Sequence, residues 1–186
     1  DGVDVKEYPF TQLRGMIGIV PQKAVLFKGT IRHNMQWRDK NATDEDIWNA
    51  LDIAQAKDFV EKKPDKLDEM ILQEGKNLSG GQRQRLTIAR ALVGDPEILI
   101  LDDSASALDL ATDARLRKAI HEKTNGMTVF IVSQRISSIK NADKIIVLDD
   151  GKIAGIGTHS ELYKGCEVYK EICLSQLSEK EAQANG

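Results

Sequence analysis

Nothing in the 186 residues approaches the run of ~20 apolar side chains that a membrane-crossing helix needs. The chain is nevertheless 41% hydrophobic and 30% charged, enough for one ordinary globular core. Charge of one sign is also lacking: 26 basic residues against 29 acidic ones leave a net charge of -3, without the basic excess of a nucleic-acid footprint. Cys166 and Cys173 are the only cysteines. On one helix they would lie ~10 Å apart along the axis, too far to bridge, and a reducing compartment fits. No G-x-x-x-x-G-K-[ST] stretch occurs either, since Gly75-Lys76 and Gly151-Lys152 lack the earlier glycine and the following hydroxyl. The opening Asp1-Gly2, without initiator Met or cleavable leader, suggests a fragment of something longer.

What is present centres on Asn77 to Asp103, NLSGGQRQRLTIARALVGDPEILILDD. Leu86, Ala89, Leu92 and Val93 recur at helical spacing, and Gly94 followed by Pro96 supplies a stop. At the start of that helix Ser79 can cap, while Gly80 and Gly81 let a phosphate from another molecule approach the backbone. Unpaired N–H groups and the helix dipole favour negative charge there. Ile98 to Leu101 is an unbroken apolar run suited to a parallel strand, ending in Asp102 and Asp103. Ligands in open α/β sheets gather at such carboxyl ends. One acid placed there can hold hydrated Mg²⁺, and its neighbour can orient or deprotonate a water.

Each device alone has a bland reading, as a glycine-containing turn or a buried strand with a polar exit. Together, a helix apart, they resemble the signature motif and the Walker B strand of ABC-family ATPases. On local grounds Gln22 reads first as a loop amide, but Val20-Pro21-Gln22, followed by Leu26-Phe27-Lys28-Gly29-Thr30-Ile31, resembles the Q-loop region of ABC exporters. Ser106-Ala107-Leu108-Asp109 resembles the D-loop, and Asp109 can also cap the helix carrying Leu116 and Ile120. The Arg83, Arg85 and Arg90 cluster reads as a solvated helix face, and Gln73, where exporters often carry glutamate, as surface.

Asp1 to Arg14 reads as polar and turn-like, and Met16 to Val20 as a strand halted by Pro21. Thr30 caps a first helix through Met35, and Thr43 a second whose stripe is Ile47, Ala50, Leu51 and Ala54. Thr30 to Gly75 is thus a helical subdomain inserted between two core strands. Thr128 to Ser133 is a strand, and Lys144 to Asp149 with Lys152 to Gly157 a hairpin turning at Asp150-Gly151. Thr158 to Glu161 is a capping box, which makes His159 an exposed first-turn residue rather than a ligand. Glu167 to Leu177 is an amphipathic helix, and Ser178 to Gly186 a polar, mobile tail.

The resemblance covers about Asp1 to Leu177. It implies an α/β fold of the P-loop NTPase kind: a mostly parallel sheet flanked by helices, the helical subdomain inserted, the P-loop strand and N-terminal β-subdomain missing. Its parts would be a core segment with the Q-loop (1–29), the helical subdomain through the signature helix (30–92), a core with Walker B, D-loop and switch strand (93–177), and the tail (178–186). The missing strand would lie between Thr128–Ser133 and Lys144–Asp149, leaving two apolar edges unpaired. Carried over residue by residue, the resemblance assigns ATP to Ser79, Gly80, Gly81, Gln82 and Asp109, Mg²⁺ to Gln22 and Asp102, and catalysis to Asp103 and Gln134. It implies a second ABC subunit in a head-to-tail dimer, a transmembrane domain in the same polypeptide, no nucleic acid, and a place on the cytoplasmic face of the cell membrane.

Two positions depart from the family. Asp103 stands where the family places a glutamate, one methylene longer, and Gln134 where it places a histidine, so no imidazolium charge is available. Beside an intact LSGGQ, these losses point to the degenerate half of a heterodimeric exporter. A soluble ABC ATPase of DNA repair or translation would lack the Gly29-Thr30-Ile31 and Thr158-to-Leu162 stretches; a nucleotide-sensing module would show no turnover in the full complex. Most phosphate affinity in such sites comes from the looped N–H groups and lysine of the G-x-x-x-x-G-K-[ST] stretch. The 186 residues alone are therefore expected to bind MgATP no tighter than ~1 mM. Titration calorimetry returning a micromolar Kd would overturn this.

Overall fold

The computed structural model describes residues 2–124 and 126–176. The chain divides into two units, Asp1–Val132 and Ser133–Gly186. The division falls inside the stretch 93–177 that the sequence reads as one core.

In the first unit the order is α1 (Phe10–Met16), β1 (Ile17–Val20), β2 (Gly29–Thr30), α2 (Ile31–Met35), α3 (Asp44–Ile53), α4 (Lys57–Glu61), β3 (Met70–Ile71), α5 (Gly80–Leu92), β4 (Ile98–Asp102), α6 (Leu110–Lys123) and β5 (Thr128–Val132). Strands β1, β4 and β5 form a parallel sheet in the order β1-β4-β5. Between β1 and β4 lie the inserted helices, tied by the small antiparallel pair β2·β3, in which Gly29 faces Ile71 and Thr30 faces Met70. The apolar stripe of α3 is buried as its period demands, with Ile47, Leu51 and Ala54 fully enclosed. Thr43 and Asp46 close a capping box at its start.

Helix α5 buries one apolar face in the core of this unit. Leu86, Ile88, Ala89 and Leu92 are buried along it, each large side chain contributing about 1.5–3 kcal/mol of burial. It lies tightly on β1, because a Cβ at Gly18 would sit 2.5 Å from the Ala91 carbonyl oxygen. Gly94, at φ +78°, ends the helix in the left-handed conformation that only glycine adopts without strain.

Three expectations need correction in these elements. The N-terminal stretch is helical rather than turn-like: a 3₁₀ turn at Val5–Glu7 precedes α1. Pro9 presets the entry to α1, and the Arg14 guanidinium lies 4.4 Å from the Phe10 ring one turn away. No residue of α1 is buried, so no apolar period marked it. The arginines of α5 are half-buried rather than solvated. Arg83 donates to Gly75 O and Leu78 O, Arg85 to Gln55 O and Gly81 O, and Arg90 to Val25 O. Burial pushes the Arg85 and Arg90 pKa values down, the mark of guanidiniums used as fasteners between chain segments.

The second unit holds α7 (Ile136–Ile139), the hairpin β6 (Ile145–Asp149) and β7 (Lys152–Gly157), α8 (His159–Gly165) and α9 (Glu167–Gln176). Asp150 and Gly151 both take positive φ, as a two-residue hairpin of right-handed twist requires. Ile145 and Val147 pack with Leu162, Cys166, Tyr169 and Cys173. Both cysteines are buried and free, Cys166 at the end of α8 and Cys173 within α9, so they do not share one helix. The third correction concerns His159. It opens the Thr158–Glu161 capping box but is buried at 4% exposure, with Nδ1 2.9 Å from the Tyr169 hydroxyl. Proximity to the cap led the sequence to an exposed residue; the packing of α9 over α8 encloses it. Leu177 and the tail to Gly186 lie outside the described residues.

Among the described residues β5 pairs only with β4, and β6 only with β7. On β5, Phe130 and Val132 are 55% and 56% exposed, an apolar edge of the kind that recruits another strand. The 186-residue chain should therefore self-associate at micromolar concentration, and Val132→Lys should weaken that association. Sedimentation showing the same monomer for both would contradict it.

Candidate functional site

The acids of the apolar strand stand at its carboxyl end. Asp102 is the last residue of β4 and is exposed; Asp103 follows with φ +42°, a left-handed conformation that aspartate tolerates better than most residues. Its backbone is held on both sides. The Asp103 N–H donates to Val132 O at 2.9 Å, and Asp103 O accepts from Ser106 N at 3.2 Å and from Ser106 Oγ at 2.9 Å. This bend turns the chain out of the sheet into the 103–109 loop and fixes where the carboxylate points.

Gln22 comes from the loop after β1, the strand next to β4. Its Nε2 donates to Asp103 Oδ2 at 3.2 Å, across 81 positions of sequence. The parallel register brings the two together: Val20 pairs with Leu101, so the residues that leave each strand emerge side by side. The bond uses Nε2 and leaves Oε1, the atom of Gln22 able to ligate a metal.

The segment after Gln22 is tied down by a residue that the sequence reading missed. Asn34 is fully buried in α2; its Oδ1 accepts from Phe27 N at 2.8 Å, and its Nδ2 donates to Phe27 O at 2.9 Å and Thr30 O at 3.0 Å. An asparagine inside a helix is a weak helix former, and that was the available signal. Phe27 in turn stacks on Trp37 at 4.4 Å.

At the other device, Ser79 caps α5 by accepting from Gln82 N at 3.2 Å, and Gln82 Oε1 accepts from Ser79 N at 3.0 Å. Gln82 thus spends its side-chain oxygen on the cap. Gly80 and Gly81 form the first turn, and neither has positive φ. A Cβ on Gly80 would meet only Arg83 Nη2 at 4.0 Å, and one on Gly81 only Ala107 O at 3.4 Å and Leu108 Cδ2 at 3.9 Å, ordinary contacts. The chain's own fold does not require glycine at either place. Gly81 is brought beside the 103–109 loop, whose last residue, Asp109, caps α6 by accepting from Thr112 N at 2.9 Å and Thr112 Oγ1 at 2.7 Å.

Gln134 belongs to the second unit. It is exposed, and its carbonyl accepts from Gln176 Nε2 at 2.7 Å.

The family described as "ABC transporter" matches residues 1–106, more than half of the chain. The chain belongs to the ABC transporter family. It is 44% identical over 184 residues to the ABC transporter ATP-binding protein YfiB of Bacillus subtilis, covering 99% of this chain and 32% of that protein. It is 44% identical over 170 residues to the probable multidrug resistance ABC transporter ATP-binding/permease protein YheI of the same organism, covering 91% and 29%. Against the Beta-(1-->2)glucan export ATP-binding/permease protein NdvA of Nitrobacter winogradskyi the identity is 40% over 182 residues, covering 98% and 30%. A solved bacterial Atm1-family ABC exporter with ATP bound superimposes with a TM-score of 0.88 at 36% identity, over 96% of this chain and 32% of that one. The ABC segment thus spans about a third of the length of these relatives. Its mixed α/β fold, a parallel sheet flanked by helices, is that of the family's ATP-binding domain.

The donors present suit Mg²⁺. Carboxylate and amide oxygens are hard ligands of the kind that Mg²⁺ takes beside substrate phosphates, and Asp102 and Gln22 offer one of each. No cluster of three or more His, Cys, Asp or Glu residues with metal-binding spacing occurs among the described residues.

Carboxylates also serve three helix starts. Backbone and hydroxyl donation from Thr112 holds the Asp109 carboxyl below the usual range; Thr43 does the same for Asp46, hydroxyl first, and Thr158 for Glu161, backbone first. A carboxyl depressed in the folded state contributes stability that is complete above its unfolded pKa and is lost as pH falls through the folded one. Helix content followed by circular dichroism should therefore decline below the usual carboxylate range. Asp109→Asn, which caps without titrating, should lessen that decline; an unchanged acid profile would refute the assignment.

Proposed function

We propose that this chain is part of the ATP-binding domain of an ABC exporter and that its signature turn serves a nucleotide held by a second ATP-binding subunit. The observation that carries this reading is the first turn of α5: an exposed, capped helix start with two glycines that the chain's own packing and φ values do not demand. A bare turn of that kind is explained by a ligand approaching from outside, and N–H groups at a helix start suit phosphate. The relatives described as export or multidrug resistance proteins support the exporter assignment. On this reading a transmembrane domain lies elsewhere in the same polypeptide, and the ATP-binding part works at the cytoplasmic face of the membrane.

In the chain's own site, Asp102 and Gln22 Oε1 would hold Mg²⁺, whose charge when bound offsets that of the transferring phosphoryl group. Asp103 orients the attacking water. Gln134, a primary amide, can donate a hydrogen bond to a phosphate but carries no imidazolium charge. Aspartate is a methylene shorter than the family's glutamate, and a misplacement of about 1 Å costs on the order of a hundredfold in rate. Asp103 is moreover engaged by Gln22 Nε2. This is therefore the poorly hydrolysing half of a pair of unlike sites, while Ser79 and Gly81, with Asp109 at the subunit boundary, complete the productive one.

Steady-state ATPase assays on the intact transporter test the asymmetry. Gly81→Val should abolish most turnover, although a Cβ there meets only ordinary contacts with Ala107 O and Leu108 in the chain's own fold. Asp103→Ala should cost less than about tenfold, against the hundredfold or more of a well-placed base. If Asp103→Ala proves as damaging as Gly81→Val, Asp103 is a working catalytic acid and the asymmetric reading fails.

A further inference from the structure

Gln84, one turn into α5, is only 1% exposed, and its Nε2 has no hydrogen-bond partner among the described residues. Asn34 and Thr87, also buried, are satisfied: Asn34 makes three bonds, and Thr87 Oγ1 donates to Arg83 O at 2.9 Å. On α5 only Arg90 Nη1 shares the unpaired state of Gln84 among the described residues, and Arg90 has a second nitrogen bonded to Val25 O. A buried donor left unpaired keeps the full cost of its desolvation. A leucine or methionine would fill the position without that cost. The position of Gln84 on the helix indicates what the amide can meet. At about 100° per residue it lies about 60° around α5 from Gly81 and about 20° from Ala91. Gly81 faces Ala107 and Leu108, and Ala91 lies against Gly18 of β1. Gln84 therefore faces inward between the sheet and the 103–109 loop, on the same face as Gly81 and three residues further along.

We propose that Gln84 is a positioning residue for ATP turnover, its amide donating to a backbone carbonyl of the 103–109 loop when two nucleotide-loaded subunits assemble. The loop begins at Asp103 and ends at Asp109, so this bond holds the acid of one site in register with the signature turn that serves the other. In this role Gln84 acts through the loop rather than on the nucleotide. The proposal rests on the reading that Ser79–Gly81 serves an ATP site of the intact transporter.

The test compares wild type, Gln84→Met and, as a control, Gly81→Val in the purified full-length transporter, by thermal melting and steady-state MgATP kinetics. Methionine keeps the volume and removes the donor. Gln84→Met should hold or raise the melting temperature, leave KM within about twofold, and lower kcat about tenfold, because loop register rather than nucleotide contact is lost. An unchanged kcat overturns the proposal. A fall in melting temperature that tracks the fall in kcat also overturns it, since that is the signature of a packing residue. The control separates the two readings: active Gly81→Val removes the signature reading itself, whereas inactive Gly81→Val beside fully active Gln84→Met removes only the role of Gln84.

Discussion

Helix α5 can lie against strand β1 only because residue 18 has no side chain. A Cβ there would press into the Ala91 carbonyl at 2.5 Å, and that backbone oxygen, fixed in the helix, cannot swing aside as a side chain could. The close approach sets the height of α5 on the sheet. With Ala91 at the Gly18 end, the opposite end of the helix, Ser79 to Gly81, comes beside Ala107 and Leu108 in the loop that follows the strand acids. The glycine turn that opens α5 and the loop that follows the strand acids are thus held side by side.

Arginine fastens the arrangement. Three side chains of α5 reach carbonyls of other segments, and Arg38 adds a clamp across Gly15, Ile17 and Val93, bringing the ends of α1, β1 and α5 together. Burial lowers the Arg38 pKa as it does those of Arg85 and Arg90. A guanidinium stays charged through such shifts and offers several donors in a planar fork, which lysine could not do. Because Arg90 holds Val25 O, the signature helix is bonded to the segment just beyond Gln22. Gln22 is itself bonded to Asp103, so the signature helix, the glutamine loop and the strand acids form one connected set.

Asp103 shows how a sheet can aim a carboxylate. Its N–H continues the β4·β5 pairing by one bond while its left-handed φ breaks the strand, and its carbonyl is taken by Ser106. Few residues accept that backbone, and aspartate is among those that do. The position is therefore shaped by both backbone geometry and side-chain chemistry.

Features governed by neighbours in sequence were legible before the structure. The caps at Thr30, Thr43, Ser79, Asp109 and Thr158, the stop at Gly94, the Asp150-Gly151 hairpin and the strand Ile98 to Leu101 all depend on residues within a turn of one another, and each occurs where the sequence placed it. Helix α1 escaped because it buries nothing and so carries no apolar period. The environments of Arg83, Arg85, Arg90 and His159 also escaped, as did the roles of Asn34 and Gly18. Their partners stand on other segments, and no local pattern encodes whether a polar side chain will meet a carbonyl, a ring or water. The sequence by itself determined which residues could cap and turn, and which acids would stand at the end of the apolar strand. Only the tertiary structure decided that Gln22 meets Asp103 and that Gly81 lies beside the 103–109 loop, because those meetings depend on strand register and helix height, which are set by packing over long separations.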